Sequence, residues 1–253
     1  MMAPAVLSVE RLSRNFGGLA AVSGVSLECG MGEVHAVIGP NGAGKSTLIN
    51  MLSGDLPPSG GTVRLNGREI TGLPSDRVSR LGVGRSYQKT NVFLPFTVFE
   101  NARLAAQSRL PSSLRFFRPA TSLKKVNEAA ERAIAAAGLS GREHVAVAQL
   151  SHGEQRQVEI AMTLATSPTL LLLDEPLAGM GGDESARIVE LLQRLANDHA
   201  MLLVEHDMDA VFALANTLTV MVNGVVLESG PPEQIRSSRA VQDAYLGGDE
   251  GHD

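Results

Sequence analysis

Nine consecutive residues constrain this chain more than any others. Gly39-Pro40-Asn41-Gly42-Ala43-Gly44-Lys45-Ser46-Thr47 fits the pattern G-x-x-x-x-G-K-[ST]. Before it, Val34 to Ile38 is an apolar run that reads as a strand; after it, Leu48, Ile49, Met51 and Leu52 have helical spacing, ending at Gly54 ahead of Pro57-Pro58. The glycines let consecutive backbone N–H groups turn toward one concavity, and the start of the helix adds its partial positive charge. Lys45 offers an ammonium to terminal phosphate oxygens. The ligand this geometry suits is a polyphosphate, and the Ser46 hydroxyl is a hard oxygen of the kind Mg²⁺ takes alongside phosphate and water.

The rest of the pattern alternates strands and helices around this loop. Ala5 to Arg11, Val22 to Glu28 and Thr62 to Asn66 read as strands, as do Thr169 to Asp174 and Ala200 to Glu205. Helices are expected over Asp183 to Asn197 and Met208 to Ala215. Asn223-Gly224 joins Leu218–Val222 to Val225–Ser229 as a hairpin. From Phe96 to Leu150 the character changes to Ala-rich helical stretches around the Pro/Ser/Arg segment 111–119, so an α/β core is interrupted by a helical insert. Hydrophobic residues make up 43% of the chain and charged residues 19%, enough to bury a core. The net charge of −5 gives no ground for nucleic-acid binding. Cys29 is the one cysteine; no intrachain disulfide is available to it, and it reads as a small buried hydrophobe. Met1 to Leu12 lacks the features of a signal peptide, and no run approaches the ~18 apolar residues of a membrane span. Export is therefore not expected, and any membrane contact is expected to go through a partner.

Two further segments carry chemistry. Leu170-Leu171-Leu172-Leu173-Asp174-Glu175 is a buried-strand pattern ending in two acids at the edge where such sheets bind ligands. Asp174 suits a Mg²⁺ shell and Glu175 a general base for an attacking water. Ser151 and Glu154 have the spacing of a capping box ahead of a helix with Val158, Ile160, Ala161 and Leu164.

Leu150-Ser151-His152-Gly153-Glu154-Gln155 resembles the signature sequence of ABC ATPases, and with the phosphate loop and the Asp174-Glu175 strand the resemblance spans essentially the whole chain. It implies an α/β P-loop NTPase cassette with a RecA-like core, an antiparallel β subdomain and an inserted helical subdomain. Residues 1–95 and 160–246 would form the core with its β subdomain, 96–159 the helical subdomain, and 247–253 a loose tail. The implied activity is hydrolysis of ATP with Mg²⁺. By position, Gln88 resembles the glutamine that senses Mg²⁺ and the γ-phosphate and links them to a permease. His206 resembles the histidine that bonds the γ-phosphate and positions the water, and Phe16 the aromatic stacked on adenine. Ser151 and Gly153 resemble the hydroxyl and open backbone that contact the ATP held by a second cassette. Taken alone, Gln88 would be a surface residue, His206 an exposed or structural histidine and Phe16 a core residue. Three positions depart from the family pattern: His152 stands where a glycine is usual, Glu154 where glutamine is, and Gly181 where many members place an aspartate.

The resemblance also implies partners: a second cassette, identical or a sister subunit, transmembrane permease subunits, and indirectly a solute-binding protein, at the cytoplasmic face of the cell membrane. The stretches Leu177 to Ser185, Val204 to Asp209, Phe116-Phe117-Arg118 and Ala244-Tyr245-Leu246-Gly247 are similar to the ATP-binding subunits of branched-chain amino acid importers. Urea and amide importers are the nearest alternative. A soluble ABC ATPase is the alternative from another class, though the sequence has neither the second cassette nor the long coiled-coil insertion usual there. Asn101 to Val126 carries Arg103, Arg109, Arg115, Arg118, Lys124 and Lys125 and no acid. This basic segment is expected to face the permease or the anionic membrane surface.

Overall fold

The computed structural model describes residues 5–87, 91–110 and 123–246. A long antiparallel hairpin, β1 (Ala5–Phe16) and β2 (Leu19–Gly30), leads into β3 (Val34–Ile38), the phosphate loop and α1 (Lys45–Leu52). Then come β4 (Gly60–Leu65), β5 (Arg68–Glu69), α2 (Ser75–Arg80) and β6 (Val83–Ser86). Helices α3 (Val98–Gln107), α4 (Lys124–Ala136) and α5 (His152–Leu164) follow. The chain returns through β7 (Leu170–Asp174), α6 (Gly182–Ala196), β8 (Ala200–Val204) and α7 (Met208–Leu214). It closes with the hairpin β9 (Thr217–Val222) and β10 (Val225–Gly230), then α8 (Pro232–Ser237) and α9 (Arg239–Leu246). No helix among the described residues is long and apolar enough to cross a membrane.

Two sheets result. One is antiparallel, in the order β2-β1-β4-β5; the other runs β10-β9-β3-β8-β7-β6, parallel throughout except for β10 at its edge. Strands β3, β7 and β8 are buried at every position because both faces of the larger sheet are covered. Alternation within β7 divides the leucine run between two cores. Leu170 and Leu172 pack with α1 and the antiparallel sheet, while Leu171 and Leu173 pack with Ile188, Leu191 and Leu192 of α6 and Val211 of α7.

The expected strands and helices of the core are present, with the long hairpin extending further than its apolar alternation predicts. At the β9–β10 turn, Asn223 and Gly224 both take positive φ, 48° and 82°, the geometry that Asn-Gly favours. Strand β6 has no clear pattern in the sequence. Gly84 is required there by contact, since a Cβ would lie 2.5 Å from Thr163 Cγ2 of α5, and Arg85 is spent on polar partners described below.

Helices α3, α4 and α5 share their own core, including Val98, Ala102, Ala130, Ile134 and Val158. Both α3 and α5 start with complete capping boxes, Thr97 with Glu100 and Ser151 with Glu154. Helix α5 is continuous through positions 159–160, where the sequence pattern divides core from insert: Val158 and Ala161 belong to the helical core and Ile160 to the sheet core. In the basic segment, Arg109 turns inward, donating to the Thr166 carbonyl (3.0 Å) and the Ser79 hydroxyl (3.0 Å), and so ties the insert to the core. Arg103 lies over the Phe99 ring and Lys124 pairs with Glu128 one turn on, whereas Arg115, Arg118 and the Phe116-Phe117-Arg118 stretch lie outside the described residues.

Leu172→Ala removes a fully buried side chain from the middle of the sheet and is expected to cost about 2–5 kcal/mol in urea unfolding. Leu227→Ala, on the partly exposed edge strand β10, should stay within about 0.5 kcal/mol.

Candidate functional site

All the parallel strands end on one edge. Asp174 pairs in register with Val204, Val37 with Val204, and Ser86 with Leu173, so the phosphate loop, Glu175, His206 and Tyr87 all leave the sheet at the same level. There a cavity of about 490 Å³ is lined by Asn41–Thr47, Glu175 and His206, with Leu19–Ala21 from the β1–β2 hairpin and Asn223-Gly224 from the β9–β10 turn.

The loop is built by close backbone approach. A Cβ at Gly39 would sit 2.0 Å from the Met221 carbonyl oxygen, and one at Gly44 2.4 Å from that of Ala21; both residues have positive φ, 149° and 97°. No side chain caps α1 at Gly44, and the residues of its first turn line the cavity. Lys45 is buried, and its Nζ donates to the carbonyls of Gly39 (2.7 Å) and Pro40 (3.0 Å). Burial pushes its ammonium below the usual lysine range, while the nearby carboxylates of Glu175 and Asp174 oppose that shift.

Across the cavity, Glu175 Oε1 and His206 Nε2 are 2.8 Å apart. Glu175 has φ 48°, a left-handed conformation costing a non-glycine residue about 1–2 kcal/mol. Its neighbour Asp174 is buried, and burial raises its carboxyl above the usual range; the Arg85 guanidinium at 3.5 Å opposes the rise and the Glu175 charge adds to it. Arg85 also reaches Asp55 (2.8 Å) and the Ser53 hydroxyl (2.7 Å) at the end of α1.

Ser46 is exposed at the cavity. Phe16 ends β1 beside Leu19, half-exposed, with the Arg14 guanidinium 4.7 Å from its ring centroid; Leu19, not Phe16, lines the cavity. Ser151 and Gly153 begin α5 and lie outside the cavity lining. The Gly153 N–H donates to Glu184 Oε1 at 3.3 Å, and the nearby Ser151 hydroxyl together with that amide holds the carboxylate below the usual range. Of the departures from the family pattern, Glu154 accepts from the Ser151 amide (3.0 Å) and pairs with Arg142 (3.1 Å), and Gly181 is the N-cap of α6. Gln88 lies outside the described residues.

Four residues not singled out in the sequence are central here: Arg85, Arg156, Glu159 and Glu205. Glu205 is buried and bridges two loops, accepting from Leu177 N–H (2.8 Å) and His206 N–H (2.8 Å). Its signal in the sequence is an acid closing an apolar strand, as at Asp174. Arg156 and Glu159 are opposite charges three apart on a helix, and Glu159 lies between the apolar Val158 and Ile160.

A glycine-rich phosphate loop at the carboxyl edge of a parallel sheet, faced by an Asp-Glu strand end, defines the class of P-loop nucleotide-binding proteins. Residues 22–178 match the ABC transporter family, and residues 225–251 match a second description, branched-chain amino acid ATP-binding cassette transporter. The high-affinity branched-chain amino acid transport ATP-binding protein LivG of Escherichia coli K12 is 38% identical over 253 residues, covering 97% of this chain and 99% of that protein. Identity and coverage are the same for BraF of Pseudomonas aeruginosa, a protein with the same description. Among solved structures, the ADP conformation of an ATP-binding cassette of an ABC transporter superposes with TM-score 0.86 at 28% identity, covering 97% of this chain and 100% of that one. A nucleotide-free cassette gives 0.85 at 28% identity, covering 96% and 99%. The chain belongs to the ABC transporter family, as one of its ATP-binding, ATP-hydrolysing subunits.

Gly44→Ala forces a Cβ against the Ala21 carbonyl and is expected to weaken ATP binding by at least about tenfold, read by titration with a fluorescent ATP analogue. Gly42→Ala, whose Cβ meets nothing within 4 Å, should lose less.

Proposed function

We propose that this chain powers an importer of branched-chain amino acids, binding and hydrolysing ATP at the described cavity while attached to permease subunits at the cytoplasmic face of the membrane. The cargo is supported by the printed functions of relatives that align over nearly the whole chain and by the match of residues 225–251. The hydrolytic role rests above all on one observation, the 2.8 Å contact between Glu175 and His206 across the phosphate loop.

In this reading Lys45 exchanges its contacts with the Gly39 and Pro40 carbonyls for the β- and γ-phosphate oxygens, and the backbone amides from Gly42 to Thr47 cradle the phosphates. Glu175 accepts the proton of the attacking water, and His206 orients that carboxylate and bonds the γ-phosphate. Phe16 offers a ring to adenine at the rim. Ser46 and Asp174, with Gln88, would hold Mg²⁺: Ser46 is open to the cavity, and Asp174 and Glu175 are adjacent acids at a buried strand end whose repulsion a cation relieves. Among the described residues no three His, Cys, Asp or Glu side chains form a metal cage, so the remaining oxygens come from nucleotide and water. When bound, Mg²⁺ supplies charge neutralisation between the phosphates. Ser151 and Gly153 lie outside the chain's own cavity and would serve the ATP of a second cassette, so that ATP favours the paired state and hydrolysis releases it.

Glu175→Gln removes the base and keeps the shape. It is expected to lower ATP turnover by about 10²-fold or more, to retain ATP binding, and to form a dimer with ATP and Mg²⁺ by light scattering. Undiminished turnover would overturn the assignment of the base. A variant that binds ATP but stays monomeric would show that the pair forms with a different cassette or only on the permease.

A further inference from the structure

Arg156 lies in the second turn of α5 and is 2% exposed, yet its guanidinium reaches two other segments, the ends of β6 and β7. Nε donates to the Pro176 carbonyl at 3.2 Å and Nη2 to the Glu175 carbonyl at 3.1 Å. Nη1 donates to the Tyr87 carbonyl at 2.7 Å and to Glu159 Oε2 at 2.5 Å. Glu159, also buried, accepts the Tyr87 N–H on its other oxygen at 3.0 Å. The peptide leaving β6 is thus gripped on both sides by α5, and the peptide leaving β7 is held by the same cation. A planar fork of five donors holds its acceptors in fixed directions, which a compact ammonium with three freely rotating donors does not.

What that fork holds is strained. Glu175 has φ 48° and directly precedes a proline, which pushes the residue before it toward extended backbone. Strained residues persist only where their surroundings over-determine them. Here the Glu175 N–H donates to the Val204 carbonyl at 2.9 Å, continuing the β7–β8 ladder, and the side chain meets His206. Its carbonyl takes the Arg156 bond, and the Ala178 N–H at 3.2 Å. With the amide fixed by the sheet, holding the carbonyl end of the residue restrains φ, and φ sets the direction in which the side chain leaves the backbone.

We propose that Arg156 is the positioning residue for the hydrolytic carboxylate, holding the Glu175–Pro176 peptide from the body of α5 so that Glu175 stays left-handed and its carboxylate stays on His206. This rests on the reading of Glu175 as the base. Because the same fork holds Tyr87, one side chain also links the end of β6 to the Glu175 peptide, beyond the strand pairing that brings them side by side.

The test uses the full chain and four variants: Arg156→Met, which keeps the length of the side chain without its donors, Glu175→Gln, the two combined, and Arg156→Met/Glu159→Gln. Steady-state kcat and KM, ATP affinity by fluorescent analogue and thermal unfolding are measured for each. Arg156→Met is expected to lower kcat by about 10- to 100-fold while ATP affinity stays within about threefold. Added to Glu175→Gln, it should slow turnover by no more than about twofold further, because both changes disable one unit. Arg156→Met alone leaves Glu159 buried without its cation, so the Arg156→Met/Glu159→Gln variant separates stability from positioning. If that variant regains stability but stays slow, positioning stands; if its turnover recovers, the role is structural and the proposal fails. Additive losses, or affinity falling in step with kcat, would also overturn it. Glu175→Gln with undiminished turnover would instead remove the base reading on which the proposal rests.

Discussion

The register of five parallel strands is the constraint on which the nucleotide site depends. Because β3, β7, β8 and β6 end level with one another, four loops and the acids Asp174 and Glu175 arrive at one edge without further adjustment. That register is held by burial on both faces: alternate leucines of β7 enter two different cores, and a slip by one residue would exchange them. The chemistry is polar, but it is placed by apolar packing that touches no ligand.

At the edge itself, backbone replaces side chains. The phosphate loop is pressed against the carbonyls of Met221 and Ala21, and the Asn223-Gly224 turn is tied to both the loop and β2, with Gly224 N–H donating to the Ala43 carbonyl (3.1 Å) and Ser23 N–H to the Gly224 carbonyl (2.7 Å). Such contacts leave no room for a methyl group and little for motion, which keeps the amides aimed before any phosphate arrives. The cost of that pre-organisation is met by the rest of the domain, as it is for the left-handed Glu175.

Much of this was legible in the sequence because it depends on local rules. The phosphate loop, the four-leucine strand, the Asn-Gly hairpin and the Ser151–Glu154 capping box each need only neighbours along the chain. Residues whose meaning lies in distant contacts were not legible. Gly84 and Arg85 hide β6, since one makes room for Thr163 and the other serves Ser53, Asp55 and Asp174. Arg109 reads as part of a basic surface and instead anchors the helical insert to Thr166 and Ser79. Arg156 is not singled out by the sequence, because nothing near it along the chain announces the carbonyls of Tyr87, Glu175 and Pro176. Phe16 shows the converse: its position carries the family pattern, while the cavity wall beside it is made by Leu19.

The carboxylate of Glu184, seated on the Gly153 amide beside the Ser151 hydroxyl, changes the thermodynamics of the start of α5. That end of the helix is a site with an anion already in residence. In the proposed pairing of two cassettes, a phosphate oxygen arriving there would make an exchange rather than a first contact, one set of charge-assisted hydrogen bonds breaking as another forms. The free energy of that proposed docking would be the difference between two anions on the same donors, so such an end would discriminate by charge and shape and give little to a ligand that is merely negative.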